Sequence, residues 1–330
     1  MTPLGKTEMA NELNPQDSVK DSNAWQQQTI EKLALSGLKE QKTARRWSIF
    51  FKLLTFAFLG FLLILAFGWF GGKNSAAPHT ALIDVNGVIE AGGAVNADNF
   101  ISSLHDAYDS SGTKGIILRF NTPGGSPVQA GIINDEIKRQ KALHPKIPVY
   151  GVVEDICASG GYYIAVATDK IYVDKGSIVG SIGVLMDGYG FTEIMKKVGV
   201  ERRLMTAGEN KGMLDPFSPI NPKQQAFAQS MLNEVHEQFK NVVRQGRGSR
   251  LKETPETFSG LFWSGEESIK LGLADALGSA DYVAREVIKQ EDIIDYTTQE
   301  TVVDRFAKRL GASIAKSIGL DTMTKGLQLR

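Results

Sequence analysis

The sequence predicts an α/β fold with a largely parallel sheet, set behind one N-terminal transmembrane helix. Two observations predict it. Residues 53–70 read LLTFAFLGFLLILAFGWF, with no charge. Beyond residue 80, short apolar runs alternate with segments of helical period, the pattern of strands joined by helices. A chain of 330 residues, 42% hydrophobic and 22% charged, has room for one globular domain with additions.

Taken in order, residues 1–46 are rich in Gln, Asn, Ser and Lys, and read as a disordered or weakly helical cytoplasmic tail. Residues 47–70 are the anchor. At about 1.5 Å per residue, residues 53–70 approach the hydrocarbon thickness of a bilayer, and extension back to Trp47 completes the span. Trp47 and Trp69 lie near its ends, where indole rings favour the interface, and Lys52 can snorkel to the headgroups. A buried core helix would need protein on every side, and a cleavable signal peptide would start earlier. Lys39, Lys42, Arg45, Arg46 and Lys52 precede the span, whereas only Lys73 follows closely. This bias keeps the N-terminus in the cytoplasm and exports the rest, which in a bacterium means an inner-membrane protein with a periplasmic or extracytoplasmic domain.

Residues 71–80 (GGKNSAAPHT) form a linker, and a folded domain spans 81–300. Within it, strands are expected at 81–89, 115–120, 148–154 and 171–174, and helices at 97–111, 128–142, 159–167 and 222–246. One or two further helices fall in 265–290, and 301–330 is a C-terminal tail with helical spacing.

Bulk chemistry excludes some functions. Lys+Arg and Asp+Glu each number 37, so no net field recruits nucleic acid. Cys157 is the only cysteine, so no internal disulfide forms and the compartment stays open. No phosphate-binding loop, dinucleotide loop or metal-ligand spacing is present, and no cofactor is expected.

Three segments carry candidate chemistry. Asn121-Thr-Pro-Gly-Gly-Ser126 follows a strand; its glycines either make an ordinary turn or aim N–H groups at an oxyanion. Cys157-Ala-Ser-Gly-Gly-Tyr-Tyr163 places Ser159 at a strand-to-helix junction. There it is either an N-cap or a nucleophile favoured by free N–H groups and the helix dipole. Lys211 lies in a glycine-rich stretch, 205–217. It is a solvated loop lysine unless burial near Ser159 lowers its pKa and makes it a general base. A histidine base would have to come from His79, His105, His144 or His236, none in a motif-like setting.

Together these segments resemble the signal peptide peptidase A family, Ser-Lys proteases of the crotonase/ClpP-like fold built from repeated ββα units. The matching pieces are NTPGGS at 121–126, the run ending in ASGGYY at 158–163, KGSIVGSIGVL at 175–185, Lys211-Gly212 with Pro216-Phe217, and FWSGEESIKLGLADALGSADYV at 262–283. Ser268 stands where the family usually has Ala, a minor departure. The resemblance covers residues 80–290 and implies roles. Ser159 is the nucleophile, Lys211 the general base, Ser181 the residue that orients the lysine, and the N–H groups of Gly125 and Gly160 the oxyanion hole, with Gly124 close behind. It also implies a homo-oligomeric ring acting on remnant signal peptides and other apolar peptides at the membrane. Two other readings compete. One is a crotonase-like acyl-CoA enzyme, which would need a carboxylate such as Glu154 or Asp155. The other is an inactive membrane scaffold.

Overall fold

The structure, a computed structural model, describes residues 15–66 and 77–298. The outer part of the anchor with Trp69, most of the linker, and the tail 301–330 lie outside the described residues. The chain divides into two compact units at the linker, Met1–Gly71 and Gly72–Arg330.

In the first unit, one helix, α1, runs over Pro15–Ala66. Residues 15–46, whose composition predicts a disordered or weakly helical tail, are thus helical and continue unbroken into the apolar stretch. Its apolar end fits a bilayer by length and composition, and none of that stretch is covered by protein. Bare Phe50, Leu53, Phe56 and Phe61 side chains would be costly in water, at about 25 cal/mol per Å2 of apolar surface.

The second unit is α/β, as the alternation predicts. Its elements are β1 (His79–Asn86), α2 (Ala97–Asp109), β2 (Thr113–Thr122), α3 (Pro127–Leu143), β3 (Val149–Ala158), α4 (Gly160–Ala165), β4 (Lys170–Val173) and β5 (Ile178–Gly180). They continue with α5 (Thr192–Lys197), α6 (Pro222–Arg247), β6 (Phe262–Ser264), α7 (Gly265–Lys270), β7 (Ala276–Leu277), α8 (Ala280–Tyr282) and β8 (Ile293–Asp295). A π-helical turn, Val283–Ile288, extends α8.

The strands form one eight-stranded sheet, ordered β6-β5-β3-β2-β1-β8, with β4 pairing β3 and β7. Every pairing is parallel except β5 with β6. The central strands are apolar on both faces, as parallel strands covered on two sides must be. Ile83, Val85, Leu118 and Phe120 join the main core, whereas Leu82, Ile117 and Val152 meet Val283 and Ala284 on the other face.

β3 forks. Its first half pairs with β4 through Tyr150–Val153, and its last residues, Ile156–Ala158, pair with β5. The fork leaves the end of β3 beside β5 and the end of β2, the location that the site requires. Between β5 and β6 the chain makes a long excursion. Only the C-terminal half of α6 returns to the core, through Phe239, Val243 and Arg247. Arg247 is fully buried and gives two hydrogen bonds to Asp275, each 2.9 Å, with a third to the Gly272 carbonyl at 2.8 Å.

Candidate active site

Ser159 sits where β3 ends and α4 begins, with φ 52° and ψ −122°. An N-cap has extended backbone and a side chain bonded to the helix. Ser159 has neither, and its hydroxyl makes no capping bond. A non-glycine residue in this region stores about 1–3 kcal/mol of strain and needs its surroundings to hold it there. Two bonds do so: the Ser159 N–H donates to Gly180 O of β5 at 2.9 Å, and Tyr163 N–H donates to Ser159 O at 3.0 Å. The turn leaves Ser159 on the wall of a cavity.

The glycine loop closes over it. Gly124 has φ 98° and Gly125 φ 148°. A Cβ at Gly124 would lie 2.7 Å from Ala158 O, Gly160 N and Ser159 Cβ, and one at Gly125 only 2.1 Å from Ile89 O. Ile89 fixes the orientation. Its N–H donates to Gly124 O at 2.9 Å, and its carbonyl accepts from Ser126 N–H at 2.7 Å. In this parallel bridge the flanking residues bond, so the N–H of Gly125 points away from Ile89. The N–H of Gly160 is at the first position of α4, where no intrahelical acceptor exists. Neither donor has a protein acceptor among the described residues. A Cβ built on Gly160 would lie 3.3 Å from Gly125 N, so the two N–H groups are neighbours.

Gly125, Ser159, Gly160 and Ser181 line one cavity of about 530 Å3. Tyr163, Leu185, Val235 and Phe239 give it apolar walls. Ser181 also has a positive φ, 51°, and its N–H donates to Leu261 O at 2.7 Å, beside the β5–β6 pairing. His236, on α6, meets Ile182 O through Nε2 at 3.1 Å, an anchor for the irregular segment after Ser181 that its charge-rich helical setting did not reveal.

The structure does not bring Lys211 to this cavity within one chain. It is exposed, in a turn of the excursion, where its N–H donates to Gly208 O at 3.1 Å.

The competing residues are elsewhere. No histidine lines the cavity. His79 is buried against Tyr296 and Thr113, His105 meets Glu136, and His144 stacks on Tyr108. Glu154 and Asp155 are exposed and outside the cavity, near Arg119 and Asn121. Burial pushes the Cys157 thiol well above its ordinary range, so this neighbour of Ser159 is not a thiolate. No cluster of His, Cys, Asp and Glu among the described residues could hold a metal.

Comparison with known proteins finds relatives of this chain. A family profile, peptidase family S49, matches residues 141–293. An Enterococcus faecium protein that carries the name signal peptide peptidase SppA is 30% identical over 253 residues, covering 73% of this chain and 73% of that protein. A Brucella melitensis protein named Na(+)/H(+) antiporter NhaA is 39% identical over 230 residues. That match covers 68% of this chain, which spans 31% of the Brucella protein's length. Among solved structures, a mutant of the 1510-N membrane-bound stomatin-specific protease in complex with a substrate peptide aligns with TM-score 0.42. The identity is 16%, over 72% of this chain and 99% of that one.

Proposed function

The chain belongs to peptidase family S49, and from that premise we propose that it is a membrane-anchored serine endopeptidase with Ser159 as nucleophile. One observation carries the reading: a strained serine with an uncapped hydroxyl beside two unpaired N–H donors, in an apolar-walled cavity. That combination suits acyl transfer. The Ser159 oxygen attacks a scissile carbonyl, and its proton passes to a base. The carbonyl oxygen, now negative, accepts from the N–H groups of Gly125 and Gly160. In other serine proteases one such donor is worth about 3–4 kcal/mol of barrier. The base then gives its proton to the leaving amine, and water repeats the sequence to release the acyl group.

Lys211 is the base in this reading, with Ser181 orienting its amine. Because it does not line its own chain's cavity, the reading has a neighbouring copy supply it. The excursion that carries Lys211 exposes Leu185, Tyr189, Val198, Met205 and Ile220, an apolar surface suited to burial between copies in a ring. The substrates are apolar peptides, including signal-peptide remnants. The anchor holds the site at the outer face of the inner membrane, with the N-terminus in the cytoplasm.

The test uses the full chain in detergent and an apolar fluorogenic peptide. Ser159→Ala and Lys211→Ala should each be folded and inactive. Mixing the two and reassembling them should restore activity, because some sites then combine an intact serine with an intact lysine. An active Lys211→Ala variant would sink the dyad, and failure to recover on mixing would place the lysine within its own chain.

A further inference from the structure

The excursion between β5 and α6 is largely exposed, yet it contains one tight cluster. Arg202 forms an ion pair with Asp215, whose side chain is only 10% exposed. Ser218 Oγ donates to the same Asp215 oxygen at 2.7 Å, and the Phe217 N–H donates to this carboxylate as well. The Arg202 guanidinium lies over the Phe217 ring, 5.5 Å from its centre, where a cation is attracted to the ring face. Phe217 in turn stacks on Phe191 at 5.5 Å, and the Phe191 N–H donates to Pro216 O at 2.7 Å. Three separated points of the chain, Phe191, Arg202 and Asp215–Ser218, thus meet at the feet of one loop, and Lys211 lies near its tip. The tip has its own tether: Gln224 of α6 donates to Asn210 Oδ1 at 3.1 Å, next to Lys211. Leu214, just before Asp215, has φ 59°, a costly conformation that the cluster holds in place.

We propose that Arg202 and Asp215 are positioning residues for Lys211, their ion pair on Phe217 clasping the loop that presents the amine. This rests on the assignment of Lys211 as general base. The chemistry requires such a clasp, since a lysine on a glycine-flanked loop would otherwise sample many positions, and proton transfer needs hydrogen-bond reach. The hydrogen bond from Arg202 holds the Asp215 carboxyl below the ordinary carboxylate range, against the opposing effect of burial. The clasp is therefore fully charged at any pH where a lysine base works. Other charged groups around the loop are the pairs Glu193–Lys196 and Glu201–Arg203, with Asp187, Lys197, Glu209 and Lys223, all exposed.

The test is peptide cleavage by the full chain in detergent, with pH profiles for wild type, Arg202→Gln, Asp215→Asn, Arg202→Lys and Lys211→Ala. Arg202→Gln and Asp215→Asn should lose about ten- to a hundredfold in kcat with KM little changed. Their acid limb should also move to higher pH, because a loosened loop no longer holds the amine at the neighbouring copy's site. Arg202→Lys, which keeps the charge, should recover most of the rate and the wild-type limb. A merely structural role would lower the amplitude and leave the limb in place. The clasp is overturned if Lys211→Ala is inactive while Arg202→Gln matches wild type, or loses rate with an unmoved limb. An active Lys211→Ala variant removes the dyad and this proposal with it.

Discussion

At the scale of single residues, backbone conformation says more than side-chain identity. The sequence marks Ser159 as a serine at a helix start, which fits a cap as well as a nucleophile. Its φ of 52° and uncapped hydroxyl set the capping role aside. That angle depends on β5, whose Gly180 carbonyl accepts the Ser159 N–H, a contact distant in sequence and invisible in any local pattern. The strain makes a prediction. Ser159→Gly should be about 1 kcal/mol more stable than Ser159→Ala, since glycine accepts positive φ without cost, while both are inactive. Urea melts of the two variants would check this, and equal stabilities would mean that the turn relaxes once the hydroxyl is gone. Gly125 was legible as a turn glycine, but the direction of its N–H is set by Ile89, far back in the chain. Gly125→Ala would drive a Cβ into the Ile89 carbonyl, so loss of cleavage should accompany a lower melting temperature.

At the scale of elements, the long ones were readable, as were the short α4 and β4, and the last, shortest strands were not. β1, β2, β3, α2, α3 and α6 carry enough apolar positions to declare their period. β5 to β8 have only two or three residues each, and their pairing is decided by the strands already in place. α5 buries none of its residues, so no apolar stripe announces it. Ion pairs then tie elements together. Arg247 at the end of α6 is buried with Asp275, and breaking such a pair costs about 3–5 kcal/mol. Arg247→Ala should therefore lower the melting temperature sharply and loosen the returning half of α6. On α3, Glu136 accepts from Arg139, His105 of α2 and Gln140, and these bonds bring its pKa from 4.5 to about 2. A lowered carboxylate pKa contributes stability that is present above the unfolded value and lost as pH falls through the folded one. The stability difference between wild type and Glu136→Gln should thus be full above about pH 4.5 and vanish toward pH 2. Thermal melts across that range would show it, and a constant difference would rule it out.

At the scale of the whole molecule, the α/β class and the apolar span were legible because each rests on a long repeated pattern. The placement of Lys211 was not, since no local pattern says where an exposed loop will come to rest. If the excursion is covered by a second copy, Val198→Glu and Ile220→Glu should shrink the particle seen by mass photometry in detergent and reduce cleavage together. Unchanged size would free that surface from the proposed interface. The oxyanion cradle, finally, draws on chain from Ile89 through Gly125, Gly160 and Gly180 to Leu261, which receives the Ser181 N–H. A ribosome builds these parts in that order, and the last arrives only when most of the domain has been translated. Until then no Gly125 donor is aimed, no β5 carbonyl holds Ser159, and the nascent chain is chemically idle. On the proposed reading, a protease made beside other unfolded chains thus becomes hazardous only once most of its own domain has been synthesised.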